Sequence, residues 1–196
     1  PLESSISNVI NGRGDDDLSL GSGAVYVYAY NGTDWQQEAF VKAPNNGSQD
    51  RFGAQLAFSH DGDVLAAAAA YEDSAPGSAP GDDSRPDSGA VYVFSRDGTG
   101  WQAPVMLKSA SSVISTRMGF SLQLSPDGST IAAGAPGDSS TAVGINGNPT
   151  ATGATDAGGV FVFSKGASGW SETAYVKAPN TEAADFFGNA VALDGN

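Results

Sequence analysis

The feature that most restricts this chain is a set of landmarks that move together. GAVYVY at residues 23–28 returns as GAVYVF at 89–94 and as GGVFVF at 158–163. A tryptophan follows each hexad at one fixed distance, as Trp35, Trp101 and Trp170. A lysine follows next, as Lys42, Lys108 and Lys177. Then comes Phe52-Gly53, Met118-Gly119 or Phe187-Gly188. Every landmark steps by 66 residues and then by 69. Landmarks that shift in concert define a structural repeat, and repeated units bury their apolar faces on one another.

One unit reads as four strands. The first is FGAQLAFS (52–59), GFSLQLS (119–125) and FGNAVAL (187–193). A tight turn follows at 60–63 (HDGD) or 126–129 (PDGS), where Asp-Gly supplies the positive φ of a hairpin. The second strand is VLAAAAA (64–70) or TIAAGA (130–135). A long loop leads to the hexad as third strand. A second turn leads to the fourth strand, opened by the Trp and closed by the Lys.

Side chains alternate along a strand, so Val25 and Val27 share one face while Ala24, Tyr26 and Tyr28 share the other. Both faces are apolar, and such a strand must be covered on both sides. Glycine is abundant at 26 residues, proline adds 10, and no window holds helical spacing. The expected fold is therefore all-β, with antiparallel four-stranded blades of a partial β-propeller of about three repeats. The alternative is a β-solenoid-like stack. The units span about 1–70, 71–135 and 136–196. The Ala- and Gly-rich second strands suit sheets that crowd closely, and the recurring Trp residues are expected to pack between blades.

RFGAQLAFSHDGDVLAAAA, SGAVYVF and the following Trp resemble the FG-GAP repeat, the blade of the integrin α-chain type of β-propeller, in its bacterial form. Phe52-Gly53 and Phe187-Gly188 carry the "FG", and Gly134-Ala135-Pro136 carries the "GAP". Residues 68–70 read Ala-Ala-Ala, and Met118 replaces the Phe. The resemblance covers essentially the whole chain. It implies adhesion or protein contact, and Ca²⁺ held between strands one and two by Asp-x-Asp-x-Asp-Gly-x-x-Asp. Here that turn is only SHDGD or SPDGS, which leaves Asp61 and Asp127 short of the oxygens that calcium takes.

In the repeat frame the chain opens just after a second strand. It stops at Asp194-Gly195-Asn196, in the turn before the next one. Only the units starting near Phe52 and Met118 hold all four strands. The expectation is a window of a longer protein, or a part that needs further blades or copies of itself.

The formal net charge is −13, with nine Lys and Arg. That argues against nucleic acid and against anionic membrane surfaces. There is no cysteine, so disulfide and thiolate chemistry are absent. No apolar run approaches the roughly 20 residues of a membrane helix. The first ten residues lack the basic-then-apolar pattern of a signal peptide.

Function is expected on the long loops at about 1–22, 71–88 and 136–157, because loops on a rigid scaffold carry binding residues. The candidate metal ligands are Asp15, Asp16, Asp17, Asp82, Asp83 and Asp87, with Ca²⁺ as the cation. Glu72-Asp73 and Asp138 are further acids, and solvated loop acids are the plainer reading of all of them. Arg13-Gly14-Asp15 is an RGD tripeptide, a candidate binding loop and equally a Gly turn. Asn31-Gly32-Thr33 and Asn46-Gly47-Ser48 fit a glycosylation pattern, though Asn31 suits a turn. Lys42, Lys108 and Lys177 read as scaffold. His60, the single histidine, has no second His or Cys for metal or nucleophilic work.

The expected function is thus a non-enzymatic extracellular or cell-surface module binding a protein or glycan ligand. The alternatives are a structural subunit of a surface assembly or filament, and the propeller of a polysaccharide-degrading enzyme.

Overall fold

The structure is a computed structural model that describes residues 1–79 and 81–194. Gly195 and Asn196, the end of the expected final turn, lie outside the described residues. The chain is all-β, with antiparallel sheets of two, five and four strands. The first is a hairpin of β1 (Val25–Tyr30) and β2 (Trp35–Val41). The second holds β3 (Gln55–Phe58), β4 (Val64–Ala69), β5 (Ala90–Asp97), β6 (Gly100–Trp101) and β7 (Val105–Leu107). The third holds β8 (Ser121–Leu124), β9 (Thr130–Ala135), β10 (Gly159–Gly166) and β11 (Gly169–Val176). Each hexad pairs with the strand after it, and β5 and β10 also pair with the strand before them.

The fourth strand is irregular at one repeated point. Between Val27 and Tyr28 the register slips by one residue, leaving Glu38 as a bulge on β2. Between Val162 and Phe163 it slips again, leaving Thr173 on β11. In the middle unit the strand breaks into β6 and β7, and Pro104 stands at the matching position. Proline has no N–H for a ladder and is confined within sheets to edges and bulges. The break is the same bulge carrying a residue that widens it.

Each sheet, with any Phe-Gly or Met-Gly turn that leads into it, is one structural unit, so the units are offset from the sequence bounds above. Two apolar clusters lie between them. The first joins Val25, Val27 and Val41 of the hairpin to Phe52, Leu65, Ala67, Tyr92 and Phe94 of the second unit. The second joins Ala66, Val91, Val93 and Leu107 to Leu122, Ile131, Ala133, Phe161 and Phe163 of the third. The first two hexads therefore send their valines toward the following unit, and the last two send their rings toward the preceding one. In the last hexad Val162 is half-buried, and the middle hexad is covered on both faces. The first is not: Tyr26 and Tyr28 are 47% and 52% exposed, against 0% for the matching Tyr92 and Phe94. Trp35 is 70% exposed, with its ring beside Tyr30, whereas Trp101 packs on Phe58. This corrects the expectation that all three tryptophans pack between units; Trp101 is covered by the first strand of its own sheet, and the β1-β2 hairpin has no such strand.

Backbone meets backbone at each seam. The N–H groups of Gln49, Arg51 and Phe52 donate to the carbonyls of Leu20, Gly21 and Ser22. Ser115, Arg117 and Met118 donate to Pro86, Asp87 and Ser88, and Ala184, Phe186 and Phe187 donate to Thr155, Asp156 and Ala157. The approach leaves no room for a side chain on the glycine that opens each hexad. A Cβ on Gly23, Gly89 or Gly158 would lie 2.1, 2.3 or 2.1 Å from the carbonyl oxygen of Phe52, Met118 or Phe187. The small second strands have the same cause: a Cβ on Gly119 would already sit 2.9 Å from that of Ala68.

Residues 187–193 differ from the expected first strand. Phe187 makes a single parallel bridge to Gly158, and 191–194 are in no strand. A first strand elsewhere is held by the second strand of its own unit, as β3 is by β4 and β8 by β9. No second strand pairs with 191–193 among the described residues.

Gly89→Ala should destabilise the protein by about 3 kcal/mol or more, since it combines a backbone clash with a φ of +80°. Gly98→Ala, with nothing within 4 Å of the added carbon, should change stability by under about 1 kcal/mol. Urea unfolding of both variants checks this contrast.

Candidate functional site

The three long loops share one side of the molecule. Each leaves a second-strand position and enters a hexad, and the linkers from each fourth strand to the next first strand run between them. The linker at 44–54 bonds the first loop through Leu20, Gly21 and Ser22. It reaches the second loop through Asn45, whose amide donates to Glu72 at 2.9 Å, and through Arg51, 4.6 Å from the ring centroid of Tyr71. A cavity of about 260 Å³, lined among others by Arg85, Ser111, Asp138 and Thr150, separates the second loop from the third.

At the root of each loop sits a buried ion pair. Lys42 meets Glu3 at 2.6 Å, Lys177 meets Asp138 at 3.0 Å, and Lys108 meets Glu72. All three lysine side chains are buried. Each carboxylate also accepts the backbone N–H two residues on, from Ser5, Ser74 and Ser140. The remaining capacity is filled locally. Lys42 donates to the Ser22 hydroxyl, Asn45 donates to Glu72, and the Tyr175 hydroxyl donates to Asp138. A buried charge is tolerated only when paired and hydrogen-bonded. Burial lowers the Lys108 pKa, against the pull of Glu72. Burial pushes Glu3 up, but hydrogen bonds from Lys42 and Ser5 outweigh it and leave Glu3 below the usual range. Glu72 and Asp138 are thus structural anions rather than solvated loop acids, which corrects the plainer sequence reading. The three lysines belong to the scaffold, as expected.

The first and third loops carry a second fastening that sequence reasoning missed. The Asn11 side chain accepts the Phe40 N–H at 2.9 Å, and the Asn11 N–H donates to the Phe40 carbonyl. Asn146 repeats both bonds with Tyr175. Both asparagines have a φ of 56°, a left-handed conformation that Asn tolerates. The signal was available, because Asn11 and Asn146 stand at one position of the repeat frame. The second loop is shorter and shows no such bracket among the described residues.

The predicted metal ligands are not gathered. Among the described residues, no group of three or more His, Cys, Asp or Glu is placed to hold a metal ion. Asp15 is paired with Arg13 by two hydrogen bonds of 3.0 and 2.9 Å, both groups exposed. The Arg13 guanidinium holds Asp15 below the usual carboxylate range. The cation and carboxylate of Arg13-Gly14-Asp15 therefore engage each other, with Gly14 over the Phe40 ring. Asp16 accepts the N–H groups of Ile6 and Leu18, and Asp17 stands exposed. Asp82 caps its own loop through the Ala75 N–H and the Ser84 hydroxyl, and Asp83 is exposed. Asp87 has a φ of 55°, matching Gly21 at 64° and Asp156 at 53° before the other hexads, so its repeated role is backbone shape.

Asp61 and Asp127 serve their hairpins. Each accepts the hydroxyl of Ser59 or Ser125 and an N–H two residues on, from Asp63 or Ser129. The His60 N–H donates to the Pro126 carbonyl, which ties these two hairpins together. Asn31 accepts the N–H groups of Thr33 and Asp34, as a turn asparagine does. The Asn46 amide donates to the carbonyls of Ser5 and Ser7 and closes the first loop.

Among the described residues no helix is long and apolar enough to cross a membrane. Compared with protein-family models and with curated proteins, the chain shows no match.

Lys177→Met leaves Asp138 buried beside Tyr175 without its cation and should cost about 3–5 kcal/mol. Lys42→Met should cost less, because the Glu3 side chain is 17% exposed and regains water. Lys177→Met with Asp138→Leu should recover most of the loss, since apolar replacement of both partners removes the stranded charge. Chemical denaturation of the three variants tests this order.

Proposed function

We propose that this chain is a non-enzymatic binding module of an FG-GAP type propeller, acting at a cell surface or outside the cell. The supporting observation is the division of labour within each long loop. Its root is pinned by a buried lysine–carboxylate pair, while its tip is exposed. Rooted loops on stacked sheets lose little conformational entropy on binding, which favours recognition. Tips at Arg13–Asp17, at Asp82–Ser84 and near Thr150 form the polar, adaptable surface. A protein or a glycan is the class of ligand it suits.

A second reading has its own observation. The ring face of β1 is half exposed, yet the matching rings of β5 are fully buried by the unit before them. That face fits another unit of the same kind, as a further blade or as a second copy in an assembly. Open, apolar sheet faces of this sort attract partners.

A combined Arg13→Ala, Asp17→Ala, Asp83→Ala and Thr150→Ala variant separates tips from scaffold. Binding to cells and to arrayed glycans should fall about tenfold or more, with stability within about 1 kcal/mol of the parent. Equal binding by parent and variant would overturn the loop-face reading, and turnover of an arrayed polysaccharide would replace it with the enzymatic one.

A further inference from the structure

Asp50 is the odd member of a repeated turn. It lies in the linker between the hairpin and the second unit and accepts the Gly47 N–H at 2.7 Å. Thr116 does the same for Val113 in the next linker, and Asp185 does it for Glu182 in the last. Thr116 is buried and neutral, and Asp185 is exposed. Asp50 alone combines a carboxyl group with burial, at 3% exposure.

The charges around it do not balance. Among the described residues, none of the ion pairs includes Asp50. The groups that act on it are the Glu72, Asp73 and Asp83 carboxylates of the second loop, the Tyr92 hydroxyl on β5 and the Lys108 ammonium after β7. Lys108 is the one cation among these, and it is committed to Glu72. The neighbouring Arg51 is turned away onto Tyr71. An ionised Asp50 would place a second buried anion beside a cation already in use, whereas a protonated one would not.

We propose that Asp50 is a proton-dependent fastener of the seam between the hairpin and the second unit. Protonated, it holds the linker closed against the first loop. Ionised, it is repelled by Glu72, Asp73 and Asp83, and the seam loosens. Burial first, and then these carboxylates, push the Asp50 pKa up to about 7, against the Gly47 hydrogen bond. The folded value thus lies above the unfolded one of 3.8. The folded state then binds more protons between the two values, so the stabilisation is complete below the unfolded value and is lost as pH rises through about 7.

Amide hydrogen exchange reads this seam by seam. Between about pH 5.5 and pH 8.5, with intrinsic exchange corrected for, protection of the Gln49, Arg51 and Phe52 amides should fall about tenfold or more. The Ser115, Arg117 and Met118 amides, at the seam that carries Thr116, should hold theirs. Asp50→Asn keeps an acceptor for Gly47, and Asp50→Thr copies the neighbouring seam. Both should abolish the pH dependence and retain protection at pH 8.5. Protection that is flat with pH in the parent, or a dependence that survives in a folded variant, would overturn the proposal. Equal losses at both seams would also overturn it, as a global effect of the acidic chain.

Discussion

Everything in this fold depends on how closely the backbone of one unit approaches the next. At each seam three linker N–H groups donate to the three carbonyls that precede a hexad. The hexad glycine then lies against the following Phe-Gly or Met-Gly backbone, too close for any Cβ. These bonds fall between units rather than within a sheet, so the units cannot slide without breaking them. The valine face of each hexad and the ring face of the next are brought into contact by that constraint, and the apolar clusters fill what it leaves.

The buried lysine–carboxylate pairs answer a different problem. A loop of some 20 residues between two central strands has to begin and end at fixed points, although its tip is in water. The carboxylate at its start bonds a nearby N–H and a lysine from the end of the fourth strand, which ties loop, linker and sheet at one place. Such pairs contribute little net stability compared with apolar packing, but their geometry is demanding. Their effect is to define where the loop starts, and so which residues are left for its tip. The seam at Asp50 departs from this pattern, because it buries one carboxyl group more than it has cations to match.

Much of this was legible from spacing. The steps of 66 and 69 placed the hexads, the turns and the lysines, and alternation placed valines and rings on opposite faces. The bulge in the fourth strand was less visible, since Glu38, Pro104 and Thr173 share no chemistry and only Pro104 hints at it. The partners of the lysines were hidden for a similar reason: Glu3, Glu72 and Asp138 sit among many other acids. The linker conformation was hidden altogether. Gln49, Ser115 and Ala184 have φ values of 72°, 63° and 64°, and Arg51, Arg117 and Phe186 have 56°, 56° and 51°. None is Gly or Asn, so residue type carries no trace of a conformation that costs on the order of 1 kcal/mol or more each. The seam bonds impose it.

The sequence by itself determined the repeat, the strand order within a unit and the demand of the hexads for cover on both faces, because these follow from local periodicity and turn chemistry. Tertiary structure alone decided which acids are buried anions and which are solvent-exposed, which tryptophans are covered, and that residues 187–193 make no strand. Those outcomes depend on what packs alongside each element, within a sheet or across a seam. Trp101 is covered by Phe58 on its own sheet while Trp35 has no such strand beside it, a first strand forms only beside its second, and Asp138 is buried because Tyr175 and Lys177 close over it.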